Sequence, residues 1–220
     1  MSEKFSSVVG IIGAGIMGEA LLAALKKAGL DANSIAIADK RSERVAELHS
    51  KYGCASKSPS EIASSSRNIL LVVKPQDMDS LLSEIGKEIG PDQRVISFAA
   101  GKKTSLIESY VSQGTAVLRI MPNTPMSVGI GASAISKGAY ATDEDVKAVQ
   151  ELLKASGKTV VVDESLQDAV TATSGSGPAY FFRFVEAMMT VAIELGRTNR
   201  ISVNVHENFR RFRIALANLT

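Results

Sequence analysis

The sequence predicts an α/β fold, a mostly parallel sheet with helices on both faces, followed by the start of an all-α segment. Three observations predict it. Apolar strand-like runs alternate with helix-like stretches over the first two-thirds of the chain. Several of those runs are apolar at nearly every position, as strands covered on both faces require. Near Gln167 the alternation stops, and a long apolar helix takes its place.

In chain order, strands are expected over residues 8–12, 35–38, 68–73, 94–99, 116–120 and 159–162. Helices are expected at 19–28, 42–52, 59–65, 77–89, 104–112 and 143–156. Gly29 ends the first of these helices and Gly157 the last. Asp143, Glu144 and Asp145 place acidic side chains in a first helical turn, where the helix dipole favours them. Ser174-Gly175-Ser176-Gly177-Pro178 reads as a flexible break, with Pro178 at the first position of a new helix. That helix, 179–195, carries Phe181, Phe182, Phe184, Val185, Met188, Met189, Val191 and Ile193. A helix apolar on every side needs burial on more than one face. Either another chain segment or subunit covers it, or it packs on the first domain.

The first strand leads into Gly13-Ala14-Gly15-Ile16-Met17-Gly18 and then a helix. A strand, a Gly-x-Gly-x-x-Gly turn and a helix in that order make the phosphate-gripping end of a Rossmann-type dinucleotide site. The first glycine permits the tight turn, the second admits the pyrophosphate to the backbone, and the third allows close helix packing. Free N–H groups and the positive dipole end of the helix complete the anion site. Ile12, Gly13, Ala14, Gly15, Ile16, Met17 and Gly18 are therefore candidate cofactor-binding residues. Asp39 ends the second strand about 20 residues after the last glycine, where a ribose-binding acid belongs. It favours NAD, whereas Lys40, Arg41 and Arg44 beside it suit the 2′-phosphate of NADP. The balance of three basic residues against one carboxylate favours NADPH, with NADH possible.

Later strands end in turns that face the same way, because ligands of an open parallel sheet sit beyond the strand C-termini. Val72-Val73-Lys74-Pro75 is one such end, with a proline that cannot continue a ladder. Phe98-Ala99-Ala100-Gly101 is another, with small residues that permit close approach. In Met121-Pro122-Asn123-Thr124-Pro125, two fixed φ angles hold Asn123 and Thr124 in place. A serine nucleophile is not expected at Ser174 or Ser176, since the flanking pattern is not Gly-x-Ser-x-Gly.

With these motifs in order, the chain resembles the pyrroline-5-carboxylate reductase family from about residue 8 to about residue 196. The resemblance implies reduction of the cyclic imine 1-pyrroline-5-carboxylate to L-proline by hydride transfer from NAD(P)H, the last step of proline biosynthesis. It implies that Val73, Lys74, Pro75, Ala99 and Ala100 lie beside the cofactor, with Lys74 towards the nicotinamide. It also implies that the segment from Ser174 to Tyr180 lines the substrate side. Lys74, Asn123 and Ser176 are the expected catalytic residues, and Ser176 is a candidate helix cap. A homo-oligomer built through C-terminal helices is the family's expectation.

After Gly196 the sequence departs from that pattern. The Ser-Pro-Gly-Gly-Thr-Thr turn that binds the substrate carboxylate in the family does not occur. No lysine follows Lys158, while arginines crowd residues 197–213. The expected organisation is a Rossmann NAD(P)-binding domain at 1–165, the start of a helical dimerisation and substrate domain at 166–196, and an atypical basic tail at 197–220. On this reading the chain is truncated, oligomerisation is in question, and the alternative function is a dinucleotide-binding module with little or no catalysis.

Composition narrows the remaining classes. Twenty-five basic residues against 23 acidic ones leave a net charge of +2, which gives no general argument for nucleic acid or membrane. A single cysteine, Cys54, rules out a disulfide framework and a cysteine-based metal site. No metal is expected. No signal peptide or membrane span is legible, so a cytoplasmic location is expected.

Overall fold

A computed structural model describes residues 7–194. The basic tail at 197–220 lies outside the described residues.

The first strand, β1 (Ser7–Ile12), is followed by α1 (Ile16–Lys27), β2 (Ile35–Ala38), α2 (Ser42–Tyr52), β3 (Ala55–Ser56) and α3 (Pro59–Ser65). Next come β4 (Ser66–Leu71), α4 (Met78–Ile85), β5 (Arg94–Ser97), α5 (Thr104–Glu108), β6 (Ala116–Pro122) and β7 (Gly131–Lys137). The described chain ends with α6 (Asp143–Leu153), β8 (Gly157–Val161), α7 (Gln167–Val170) and α8 (Gly177–Glu194).

The strands form one sheet in the order β3-β2-β1-β4-β5-β6-β7-β8. Every neighbouring pair is parallel except β6 and β7. From β1 the chain winds outward through β2 and β3, then returns to the other side of β1 at β4. That reversal is the topological switch point, and a crevice opens there beyond the strand C-termini.

Alternation along the strands separates two apolar layers. Val9 and Ile11 of β1, with Ile35, Ile37, Leu70, Ile96 and Leu118, pack against Leu21, Leu22 and Leu25 of α1 and Val149 and Leu153 of α6. Ile12, Ile69, Leu71, Val95 and Val117 face the other way, onto Ile62, Met78, Leu82, Ile85 and Ile107. Gly10 makes the second layer possible, because a β-carbon there would lie 2.3 Å from Ile62 Cγ2. Helix α3 therefore presses on β1 at its one gap.

Three local departures from the sequence reading have physical causes. β7 was not expected: its Gly131-Ala132-Ser133-Ala134 start lacks branched residues, and it forms because a 3-10 turn (Thr124–Val128) folds it back onto β6. The two-residue β3 is too short to show periodicity. The stretch expected to be a flexible break is instead a π-helical turn (Thr171–Gly175) that joins α7 to α8. Ser176 has αR values, φ −90 and ψ −19, not the extended backbone of an N-cap.

Helix α8 does not bury itself on the sheet domain. Val185 is buried, whereas Tyr180, Phe181, Phe182, Phe184, Met188 and Val191 are exposed. No helix among the described residues is long and apolar enough to cross a membrane.

Candidate functional site

The crevice at the switch point is a cavity of about 630 Å³. Ile12, Gly13, Gly15 and Ile16 line it from the glycine turn, Asp39, Lys40 and Arg41 from the end of β2, and Val73 and Lys74 from the end of β4. The structure thus brings together nine of the residues named from sequence as cofactor ligands.

Each glycine of the turn answers a different constraint. Gly13 has φ +107, a region that side chains rarely adopt, and a β-carbon on it would meet the Val72 carbonyl at 2.5 Å. A β-carbon on Gly18 would lie 2.0 Å from the Gly13 oxygen. Gly15 is the exception, since nothing lies within 4 Å of where its β-carbon would stand. That open space faces the cavity at the start of α1, where Gly15 provides no side chain to cap the first turn. The first-turn N–H groups and the dipole are therefore available to an anion. Space, charge and backbone donors at this turn fit the pyrophosphate of a nicotinamide dinucleotide.

Ala14, Met17 and Gly18 support the turn from behind. Ala14 is buried and its N–H donates to Asp39 Oδ2 at 2.7 Å. Met17 packs on the apolar layer beneath α1.

Asp39 is more tightly held than a free ribose ligand. Oδ1 accepts from the Arg41 N–H at 2.9 Å and from Arg41 Nε at 3.1 Å, while Oδ2 takes the Ala14 bond. Burial pushes its carboxyl up, but the Arg41 guanidinium and the two backbone N–H groups more than offset this and hold it below the usual range. Of the three basic neighbours, Arg44 is the one turned away. It donates from Nε to the Ala14 carbonyl at 3.0 Å and pairs with Glu19 and Glu47. Lys40 pairs with Asp77 across the cavity mouth at 2.7 Å, and Arg41 keeps most of its side chain in solvent. Of the three basic side chains, Lys40 and Arg41 line the cavity and Arg44 does not.

Pro75 opens a short 3-10 turn (Pro75–Asp77) beyond β4. Ala99 and Ala100 lie past the end of β5, Ala99 buried with its N–H on Ser97 Oγ. Lys74 shares the cavity of Asp39, Lys40, Arg41 and Asp77. Asn123 lies elsewhere, at the C-terminal end of β6. Its Oδ1 accepts from the Ala132 N–H at 2.9 Å, and its Nδ2 donates to Ser174 Oγ at 3.4 Å. That contact joins the double-proline loop to the π turn. Single-turn π segments recur at functional sites because they re-aim a few side chains without breaking a helix. Gly175 packs closely on the Met121 side chain, since a β-carbon there would lie 2.8 Å from Met121 Cε.

The cavity also includes Val72 of the Val72–Pro75 strand end, and Pro59, Asp77, Ser80, Leu81 and Glu84, which were not expected there. Of the residues not expected, Asp77, two residues beyond Pro75 at a strand end, carried a signal in the sequence. Among the described residues no cluster of three or more His, Cys, Asp or Glu is placed to hold a metal.

Comparison with known proteins matches both ends of this architecture. Residues 8–101 match the family described as NADP oxidoreductase coenzyme F420-dependent. Residues 164–208 match the family described as pyrroline-5-carboxylate reductase dimerisation, a match that continues past Gly196. The pyrroline-5-carboxylate reductase of Methanosarcina acetivorans is 40% identical over 199 residues, covering 90% of this chain and 74% of the relative. That of Corynebacterium melassecola is 38% identical over 194 residues, covering 86% and 72%. The structure of a pyrroline-5-carboxylate reductase from Coxiella burnetii superposes with a TM-score of 0.83 at 28% identity, covering 96% of this chain and 80% of that one. The Plasmodium falciparum pyrroline carboxylate reductase with NADP bound gives 0.81 at 23% identity, with coverage of 98% and 80%, and speaks for the fold alone. Sequence identity of 40%, extending over 74% of a relative, thus joins the glycine-turn sheet to the helical segment after residue 164, and the chain belongs to the pyrroline-5-carboxylate reductase family.

Proposed function

We propose that this chain reduces 1-pyrroline-5-carboxylate to L-proline with NADPH. The observation that carries the reading is the arrangement of one sheet end. A dinucleotide cradle lies beyond β1, β2 and β4, and the Asn123–Ser174 contact lies beyond β6. Family membership supplies the substrate. Bound NADPH supplies the hydride for the imine carbon.

The chain's own work is alignment. The Gly13–Gly18 turn and the start of α1 grip the pyrophosphate, and Lys74 presents an ammonium to the same groove. Ala99 and Ala100 permit the nicotinamide ribose to approach past β5. Asn123 and the hydroxyls of Ser174 and Ser176 orient the imine and its carboxylate. The imine nitrogen is readily protonated, so no strong protein acid is required; near-attack geometry supplies most of the acceleration.

NADPH is the preferred cofactor in this reading, because Asp39 is neutralised by Arg41 and turned onto the Ala14 N–H. Its charge therefore repels a 2′-phosphate only weakly, while Lys40 and Arg41 attract it. The exposed apolar side of α8 supports self-association, and a homo-oligomer is part of the proposal.

The test is loss of NADPH absorbance on adding 1-pyrroline-5-carboxylate. Turnover with a lower KM for NADPH than for NADH is expected. A folded sample that binds NADPH and leaves the imine unreduced would make this chain a dinucleotide-binding module instead.

A further inference from the structure

Glu164 lies in a short 3-10 turn (Glu164–Leu166) immediately before α7. Its carboxylate reaches two other parts of the fold, the start of α5 and β6. Oε1 accepts from the Thr104 N–H at 2.8 Å and Oε2 from Thr104 Oγ1 at 2.9 Å. Oε1 also stands 3.6 Å from Arg119 Nη1, as an ion pair. Thr104 begins α5, and Lys103 before it provides no side-chain cap, so Glu164 serves that end from 60 residues away. Only Lys102 and Lys103 separate Thr104 from the Phe98–Gly101 loop that carries Ala99 and Ala100. Arg119 is 3% exposed on β6, the strand that ends beside Asn123.

Buried guanidinium charge needs a nearby carboxylate. Arg119 has two, but the side chain of Asp168 is 84% exposed and that of Glu164 only 24%. Glu164 is thus the better-shielded partner. Gln167 adds a second anchor: fully buried, it donates from Nε2 to Ser136 Oγ of β7 at 2.8 Å. From these anchors the chain continues through the π turn to Ser174 and Ser176. At that far end the contact with Asn123 is 3.4 Å long, near the limit of a hydrogen bond. The two Thr104–Glu164 bonds and the buried Gln167–Ser136 bond are shorter, at 2.8–2.9 Å, and tie the base of the segment to α5 and β7.

We propose that Glu164 is a positioning residue that holds the segment carrying Ser174 and Ser176 in register with the loop carrying Ala99 and Ala100. It rests on the reductase reading above, in which these are the substrate and nicotinamide sides. Glu164 touches neither ligand; it acts through Thr104 on one side and the α7 base on the other. A displacement of about 1 Å between hydride donor and acceptor is enough to cost about a hundredfold in rate.

The experiment compares the full chain with Glu164→Gln and Thr104→Val. Glu164→Gln keeps the shape and the acceptor for the Thr104 N–H but loses the charge facing Arg119. Thr104→Val leaves the Arg119–Glu164 pair intact and removes one hydrogen bond, so it folds even where the first variant does not. The Kd for NADPH is expected to stay within about twofold in both. A fall in kcat of about tenfold or more is expected for Glu164→Gln, and about threefold for Thr104→Val. Unchanged kcat overturns the proposal, as does a loss of NADPH affinity parallel to the loss of kcat. Amide hydrogen exchange gives a readout independent of turnover. NADPH is expected to protect residues 98–104 and 167–176 together in the natural chain, and only 98–104 in either variant. Equal protection at 167–176 in all three overturns the coupling. Absence of imine turnover in the natural chain defeats the reductase reading, while the exchange data still decide the role of Glu164.

Discussion

Gly15 and Gly18 sit three residues apart in one turn and have opposite surroundings. A β-carbon on Gly15 would meet nothing, whereas one on Gly18 would strike the Gly13 carbonyl at 2.0 Å. Two different defects follow. Gly15→Ala puts a methyl group into the cofactor's space, so NADPH affinity should fall by about tenfold or more with stability changed by less than about 1 kcal/mol. Gly18→Ala must displace the turn itself and should cost about 1–3 kcal/mol of stability as well as affinity. Denaturant unfolding and NADPH titration of both variants check this; equal stability losses would mean that the two positions do not divide the work. Arg41 permits a second prediction. It both neutralises Asp39 and faces solvent beside the cavity. Arg41→Ala should raise the KM for NADPH about tenfold and that for NADH less than about threefold. Equal effects on the two would remove Arg41 from phosphate recognition. The sequence made the basic run after Asp39 visible, but not its partition. Spacing alone cannot show that Arg44 turns back to the Ala14 carbonyl, because its partner Glu19 is on another helix.

Helices α1 and α2 are joined by that same group. Glu19 of α1 accepts from Lys51 at 2.8 Å, from Tyr52 at 3.1 Å, and from Arg44, all on α2. The Lys51 and Arg44 bonds bring the Glu19 carboxyl from 4.5 down to about 2. Because the folded value lies below the unfolded one, the network stabilises the fold fully above about pH 4.5, and the contribution fades as the pH falls towards 2. Glu19→Gln should lower stability at neutral pH by about 1–2 kcal/mol, a figure reduced for the partial exposure of the group. It should also flatten the stability curve between those two pH values. Denaturant midpoints measured along that range check it, and parallel curves for the two proteins would refute it. Elements differ in how far the sequence foretold them, for physical reasons. α2 and α3 match expectation end to end, because Gly53 in the left-handed region and the Ser58–Glu61 capping box are local signals. β7 depends on β6 for its existence, and its small residues leave no periodicity to read. The π turn likewise depends on neighbours, since Met121 and Asn123 pack against it from a strand some 50 residues earlier.

At the scale of the whole molecule, the sheet domain satisfies its own apolar surface on both faces, and α8 does not. Tyr180, Phe184, Met188 and Val191 recur at intervals of four, four and three residues, so they form one stripe along the helix. Each is exposed in the single chain, while Val185 is buried. Fully covering an exposed aromatic or aliphatic side chain of this size is worth about 1.5–3 kcal/mol, and these four, already about half covered, gain about half of that each. Four of them, doubled by a symmetric partner, exceed the lower estimates of about 4 kcal/mol for the freedom lost on association. Self-association through this stripe is therefore the expected state at micromolar concentration, and it should be accompanied by imine reduction. Phe184→Glu combined with Met188→Glu places two charges in the stripe. That variant should sediment as a monomer and lose most of its turnover, yet bind NADPH within about twofold of the natural chain. The binding should survive because the cavity is lined by the glycine turn, the β2 and β4 ends and residues of α3 and α4, and by none of α8. Sedimentation velocity over a concentration series, with NADPH titration on the same samples, checks all three outcomes. A natural chain that stays monomeric throughout and still reduces the imine would show that the stripe is not the association surface. Loss of NADPH binding in the charged variant would show instead that α8 helps to hold the cofactor half of the site.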